Sequence, residues 1–482
     1  MSTIASRRTS AGAAVGFLVV MEFGSGILQG WLSPLFTSIG EQYGASAASL
    51  NWVSAAYLLA TVLVVPLLSK LGDIYGHKRL LLIATIVVAA ASILVAFAPN
   101  YGVFLAARAI QAPLAVFLPL EFAIVHQRDP ENAGRSIGRL VGALTLGAAA
   151  GGLLSGAVLD ATGSLTATLL VPALFMVLCI PGVAIFVKET TLRRHDRVDY
   201  LGALLLGTGL VAFLGGVSNM KSWPAGLTAA TVLGGLALLV AWVVSARRLA
   251  HPLIDLRVLT HGGIGLPIVV AFLYGAQMFG SQTPISVYLR SDATALGYGF
   301  GASATTAGLT LSLLAVAAFV GATLSDRVAR LLTGPRAVAL GGAVSAIGYA
   351  LMILAPGTLT TFTIWMVFSG LGAGVVIGAL PTIVVSRAEP DAVGIASGLY
   401  NTARTAAGAV AGALFALLMA AFAMPNGSGA SISTEFSFHV VWWICTGLCL
   451  LFAVLALLIR PRSDATAAPD TARTAADPEP AR

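Results

Sequence analysis

Residues 58–88 read LLATVLVVPLLSKLGDIYGHKRLLLIATIVV. Two apolar runs flank one short polar segment, Ser69 to Arg79, which holds Lys70, Asp73, His77, Lys78 and Arg79. A membrane-crossing helix needs roughly 20 mainly apolar residues. The two runs reach that length, at 47–69 and 79–98. Working outward, comparable runs lie at 12–38, 101–125, 137–159, 166–187, 200–219, 225–245, 262–289, 301–324, 336–356, 359–384, 394–424 and 436–460. The expected fold class is an all-α integral membrane protein with 14 transmembrane helices. Composition agrees: 57% of the 482 residues are hydrophobic and 10% are charged, against about 25% charged in a soluble domain.

Charge placement orients these spans. Of the 27 Lys and Arg residues, only Lys221 and Arg290 fall in loops on one side, and Arg108 and Arg404 fall within spans. The rest lie on the side of the N-terminus, which places both chain ends in the cytoplasm of a bacterial inner membrane. The net charge of +7 is scattered over short loops and forms no basic groove, so nucleic acid is not an expected partner. Cys179, Cys445 and Cys449 lie in apolar runs and match no disulfide or metal spacing. The polar start and the long first apolar run read as a first span rather than a cleaved signal peptide. The expected organisation is a cytoplasmic segment at 1–11, a six-helix bundle at 12–187 and a linker at 188–199. An inserted helix pair with its loop follows at 200–261, then a second six-helix bundle at 262–460. A tail at 461–482, rich in Ala, Pro, Asp and Thr, has a disordered composition.

The polar segment 69–79 has a weaker counterpart at Ala322 to Arg330, with Asp326, Arg327 and Arg330. Each sits between the second and third spans of a six-helix unit. Two such units, related about an axis along the membrane normal, form a transporter architecture. The segment reads as a conformational latch: beside Gly76, Asp73 can meet the amides of a neighbouring helix N-terminus or a nearby arginine, and Lys78 and Arg79 can hold the opposite side or the anionic lipid surface. The plainer alternative is a basic topology loop.

These residues resemble the major facilitator superfamily. The count of spans is similar to its fourteen-span drug:proton antiporter group. The segment 69–79 resembles the superfamily's signature loop, with Ser69 in place of its first glycine and Ile74 in place of an arginine. Leu105 to Gln111 is similar to the fourth-span motif, and Arg108 matches its arginine. Gly147 to Gly152 resembles the fifth-span antiporter motif, with Ala148 where that motif has proline. His251 to Leu256 resembles the loop after the inserted pair, and Gly398, Asn401, Arg404 and Gly408 resemble the thirteenth span of that group. The resemblance implies alternating access and a cavity lined by spans 1, 4, 9 and 12. On those spans Gln29, Trp31, Tyr274, Gln277, Met278, Ser281, Gln282, Trp365 and Phe368 are the candidate substrate contacts. Their aromatic and uncharged polar character suits a small amphipathic organic compound.

Glu22, Arg108, Glu121 and Arg404 are ionisable groups within spans, and such groups mark pathways or relays. A carboxyl group out of water binds a proton more readily. Glu22 and Glu121 are the candidate proton-coupling acids, with Arg108 switching the local charge. The alternatives are a fixed salt bridge between helices for Glu22, a snorkelling or loop-facing acid near the inner surface for Glu121, and a structural arginine bonded to helix carbonyls for Arg108. About 20 Å of ideal helix separates Arg108 from Glu121, so these two cannot pair, and Pro113 and Pro119 between them are expected to kink or loosen the helix. Gly147, Gly151, Gly152, Asn401, Arg404 and Gly408 are candidates for packing or gating, because small residues let membrane helices approach closely.

The leading functional expectation is proton-coupled export of small amphipathic compounds, as in drug or metabolite efflux. Uptake by symport or facilitation and a non-transporting membrane partner remain the alternatives. No phosphate-binding loop for ATP and no catalytic or metal-ligand cluster is present in the sequence, so neither enzyme activity nor a cofactor is expected beyond the proton as coupling ion. Lipid and substrate are the expected partners of a monomer.

Overall fold

A computed structural model describes residues 2–128, 133–190, 199–220, 223–249, 252, 263–387, 393–425 and 431–459. Most of the expected linker 188–199, all of the loop 251–256 except Pro252, and the tail 461–482 lie outside the described residues. The N-terminal set of helices comprises α1 (Ser2–Trp31), α2 (Phe36–Tyr43), α3 (Ala47–Tyr75), α4 (His77–Ala96), α5 (Tyr101–Ile110), α6 (Phe117–Arg128), α7 (Ala133–Thr162) and α8 (Leu165–Phe186). Then come α9 (Tyr200–Ser218) and α10 (Ala225–Arg248). The C-terminal set comprises α11 (Gly265–Gly280), α12 (Gln282–Arg290), α13 (Ala293–Leu296), α14 (Ala304–Leu332), α15 (Gly334–Leu354), α16 (Leu359–Arg387), α17 (Val393–Ala421) and α18 (Glu435–Leu457). Between α17 and α18, the strands β1 (Ala423–Pro425) and β2 (Ser431–Ser433) pair antiparallel, with Met424 opposite Ile432.

Thirteen helical stretches among the described residues are long and apolar enough to cross a membrane. The expected ninth span is not among them, because the run at 262–289 divides at Ser281 into α11 and α12. Gly280 ends the first piece. Pro284 stands in the first turn of the second, where its missing amide costs no helical hydrogen bond. Proline breaks the fourth span likewise: Pro113 opens a 3-10 segment, Ala112–Val116, between α5 and α6. Side-chain caps set several helix starts. Ser46, Asn100, Ser164 and Ser303 each accept from the amide three residues on, in Ser49, Val103, Ala167 and Thr306.

Packing rests on close backbone approach. A Cβ at Gly26 or Gly30 of α1 would collide with the carbonyls of Leu144 or Ala148 on α7, and one at Gly147 or Gly151 would collide with the backbone of Phe23 or Ile27. The other side of α7 meets α14 in the same way, with Gly152 against Gly308 and Gly156 against Ala304. The Ser312 hydroxyl donates to the Ala149 carbonyl across this seam. A second seam joins α3 to α17. Asn51 donates to the Met419 sulfur at 3.5 Å, Gly412 lies on Ala55, and Gly408 lies on Leu58 and Phe279. Beyond the helices, Arg290 donates to the Pro34 carbonyl (3.1 Å) and Ser38 hydroxyl (2.9 Å), and Asp160 accepts from the Thr305 amide (2.8 Å).

All these contacts lie towards the end of the bundle remote from Lys78, Arg79, Arg327 and Arg330. Towards that basic end the seams part. A Cβ at Gly138, Gly142 or Gly398 would have nothing within 4 Å, and Leu146, Val316 and Val320 are exposed. The molecule is closed at one end and open at the basic end. The helix α9 lies along the α3–α17 seam, with Leu214 packed among Leu58, Leu59, Ala409 and Ala413, and Ser218 donates to the Ala413 carbonyl (3.1 Å).

The partial repeat is also visible in the backbone. Gly76 (φ +108°) and Thr333 (φ +84°) stand immediately before α4 and α15. Aligned on those turns, Arg330 rather than Asp326 takes the place of Asp73, so the repeat read at the two aspartates is displaced by about one helical turn. Thr333 is the one non-glycine residue at positive φ among the described residues, and such backbone costs about 1–3 kcal/mol. Thr333→Gly is therefore expected to raise the melting temperature of the purified protein in detergent, through a gain of about 1 kcal/mol, since glycine returns part of the relief as chain entropy. Gly156→Val places a branched Cβ against the Ala304 backbone. It is expected to hold the closed end apart, measured as faster labelling of a cysteine introduced at Ser33 by a membrane-impermeant maleimide.

Candidate functional site

The four intramembrane charges fall into two groups. Three lie in the N-terminal set. Glu22 on α1 is 1% exposed and Glu121 on α6 is fully buried. Neither Oε2 of Glu22 nor either carboxyl oxygen of Glu121 has a hydrogen-bond partner among the described residues. Their chain neighbours Met21 and Leu120 belong to one buried apolar cluster. The Tyr57 phenol on α3 feels both Glu22 and Arg108. Arg108 on α5 stands over the Tyr57 ring, 4.8 Å from its centroid, and donates to the Gln111 side-chain oxygen. The Gln111 amide donates in turn to Ser92 Oγ on α4 at 2.7 Å. Arg108 is thus held by a ring face and a neutral amide, not by a carboxylate. Buried polar atoms in folded proteins normally find partners, so the bare carboxyls are the unusual feature here.

Arg404 on α17 is the fourth charge. Its guanidinium lies 5.6 Å from the Tyr400 ring centroid and 5.7 Å from that of Phe279 on α11. It donates to Asn401 Oδ1 at 3.3 Å. Asn401 is exposed and Arg404 partly so.

The candidate substrate contacts separate. Gln29 is exposed and donates to Ser25 at 3.3 Å, while Met278 and Gln282 stay partly exposed. Trp31 is buried and donates to the Thr168 carbonyl on α8 at 3.0 Å, so its indole points into the N-terminal set. Tyr274 donates to the Ala373 carbonyl at 3.2 Å. Gln277 donates to the Tyr349 hydroxyl (2.7 Å), which donates to Ser281 (2.8 Å), and this network lies buried within the C-terminal set. Trp365 donates to the Ala355 carbonyl at 2.9 Å, where α15 ends. Phe368 shares an outward face of α16 with Ile364, at 39% and 53% exposure. The structure does not bring these two together with the others.

The latch residues are held by a partner the sequence reading did not include. Glu189, just beyond α8, accepts from the amides of Lys78 (3.0 Å) and Arg79 (3.1 Å) at the start of α4. Thr190 Oγ1 lies 2.9 Å from His77 Nδ1, and the other ring nitrogen of His77 lies 3.1 Å from Asp73. Lys78 donates to the Ala184 carbonyl at 2.8 Å. A Cβ at Gly76 would run into the Glu189 carboxylate, which accounts for the glycine. Of the two expected partners for Asp73, a helix N-terminus or an arginine, it meets neither among the described residues and turns to the histidine four residues on. Asp326, Arg327 and Arg330 are exposed. Glu189, Tyr57 and Tyr349 were missed because no spacing ties them to the groups they meet, whereas Gln111 sits one turn after Arg108 and could have been found.

A bundle of apolar helices that encloses a few unpaired charges, parted at one end, defines a membrane transporter. Residues 18–413 match the Major Facilitator Superfamily, and the chain belongs to it. A cephamycin export protein from Amycolatopsis lactamdurans is 30% identical over 87% of this chain and 86% of its own. A puromycin resistance protein from Streptomyces alboniger is 29% identical over 89% of this chain and 87% of its own. A probable actinorhodin transporter from Streptomyces coelicolor is 27% identical over 84% of this chain and 72% of its own. Among solved structures, a nucleoside transporter superposes with a TM-score of 0.68 at 14% identity, covering 93% of this chain and all of that one. That likeness concerns the fold. The matched family and relatives are transporters, so the chain is a membrane transporter and not an enzyme.

Glu189→Ala removes two amide partners from the first turn of α4. Loss of a helix cap costs about 1 kcal/mol, so the variant is expected to melt at a lower temperature in detergent, while Glu189→Gln, which keeps an acceptor oxygen, loses less.

Proposed function

We propose that this protein is a proton-coupled exporter of small amphipathic organic compounds, working as a monomer in a bacterial inner membrane by alternating access. The observation that supports it most is the pair of buried carboxyl groups of Glu22 and Glu121, with Oε2 of the first and both oxygens of the second unpartnered, on two helices that share one apolar cluster. A bare charge within a membrane bundle is costly, and such residues serve relays and pathways. Protonation removes the charge, and Arg108 stands in the same cluster to favour its return. The names of the relatives, for cephamycin export and puromycin resistance, support the outward direction and an organic substrate.

In this reading α11 and α12 together make a broken fourteenth crossing. Two six-helix bundles, 12–187 and 262–460, flank the inserted pair, and the chain is a drug:proton antiporter of the fourteen-span group. Both ends lie in the cytoplasm, so the open basic end faces inward and the arrangement is the substrate-loading state. Gln29, Met278 and Gln282 are the first-choice substrate contacts. The residues bonded inside the C-terminal set support the cavity wall, and Trp365 and Phe368 drop out of it. Asp73, Gly76, Lys78 and Arg79 act as the latch. A second reading, uptake by symport or facilitation, draws on Ala148, which stands where the antiporter motif has proline.

The test is transport in proteoliposomes under an imposed pH gradient, with puromycin and a cephamycin as trial substrates. Addition of substrate is expected to dissipate the gradient. Glu22→Gln and Glu121→Gln are each expected to reduce that proton flux at least tenfold. Transport indifferent to the gradient and to both substitutions would leave facilitation, and flux of proton and substrate in the same direction would leave symport.

A further inference from the structure

Arg404 is the intramembrane charge that proton coupling does not use. The ion pairs among the described residues join Asp73 to His77, Arg79 to Glu189 and Glu435 to His439; none involves Arg404. Its Nε is buried without a hydrogen-bond partner, and it donates to the neutral Asn401 at 3.3 Å. Arg108 differs: it is 8% exposed and engaged by a buried amide. Arg404 instead reaches the open part of the molecule. One turn away, Gly408 still packs on Leu58 of α3, whereas Gly398 has empty space beside it and Asn401 is exposed. The guanidinium therefore stands where the α3–α17 seam begins to part.

We propose that Arg404, with the Phe279 and Tyr400 rings, forms a subsite for a carboxylate carried on a flat aromatic part of the transported compound. A guanidinium is a planar fork that matches a carboxylate with two parallel hydrogen bonds and stacks on ring faces. Both rings lie within the roughly 6 Å reach of a cation–π contact, which fixes the plane of the fork and leaves its edge for an anion. In a water-filled cleft bounded by lipid and helices, an arginine without an acid is electrostatically incomplete. A ligand carboxylate completes it, and Asn401 supplies a further amide donor beside it. Phe279 lies on α11 and Arg404 on α17, so a ligand held there touches both helices and, across the seam, the level of Leu58.

The inference rests on the reading of the chain as a transporter of organic compounds, but not on its proton coupling. The test is equilibrium binding to the purified full chain in detergent, by isothermal titration, of anthraquinone-2-carboxylate and its neutral carboxamide. Wild type is expected to bind the carboxylate at least tenfold more tightly than the amide. Arg404→Gln is expected to abolish that preference, with at least tenfold loss for the carboxylate and less than twofold for the amide. Asn401→Asp sets a competing carboxylate beside the guanidinium without changing side-chain shape, and is expected to abolish the preference too. It carries the test if Arg404→Gln does not elute as a monodisperse species. A preference that survives these changes, equal losses for both probes, or no preference in wild type would each overturn the subsite. Gradient dissipation by substrate, with the carboxylate preference intact in Arg404→Gln, would sink this inference and spare the coupling. A lost preference with no gradient dissipation would do the reverse.

Discussion

The helix α7 is held on two sides by contacts that leave no room for a Cβ. Gly147 and Gly151 lie on the backbone of α1, and Gly152 and Gly156 on that of α14. In lipid the hydrophobic effect gives helices little reason to associate, so close van der Waals approach must supply the attraction. The contact with α1 belongs to the N-terminal set, and the contact with α14 joins the two sets. These glycines therefore shape both the N-terminal set and its contact with the C-terminal set. The second of these contacts is the one that ends part-way along the helix, beyond Ala149 and Ser312, where the molecule opens.

That geometry determines the electrostatics. Glu22 and Glu121 are buried, and neither Oε2 of Glu22 nor the carboxyl oxygens of Glu121 have a hydrogen-bond partner among the described residues. Removing a charge from water is costly without a partner. A proton is the smallest species that relieves that cost without widening the bundle. Arg108 shares the N-terminal set with both acids, whereas Arg404 of the C-terminal set has no ion-pair partner among the described residues.

Much of the fold was legible because membrane crossing demands length and apolarity, and both are local properties. The proline breaks at Pro113 and near Pro284 follow from the missing amide, yet the second was not drawn from the sequence and the ninth span was read as continuous. The site was legible only as far as single residues go. Glu22, Arg108, Glu121 and Arg404 stand out because a charge in a span is rare. Their surroundings do not: Tyr57 lies 51 positions from Arg108 and is an ordinary aromatic residue of an apolar run. Trp31 shows the converse. An indole near mid-span suggested a substrate contact, but its N–H needs an acceptor when buried and finds one in the Thr168 carbonyl of α8.

The Gly76 turn shows how neighbouring groups decide what a motif touches. The amides at the start of α4 need an acceptor, and Glu189 supplies both oxygens from the segment after α8. Asp73 then has no helix end to cap and bonds His77 instead. All of these groups belong to the N-terminal set, so with the basic end parted the turn is tied within one body. Its basic residues are turned to the Ala184 carbonyl and Glu189 and not across the opening. Two ties thus hold the turn: Glu189 through the amides of Lys78 and Arg79, and Asp73 through the His77 ring.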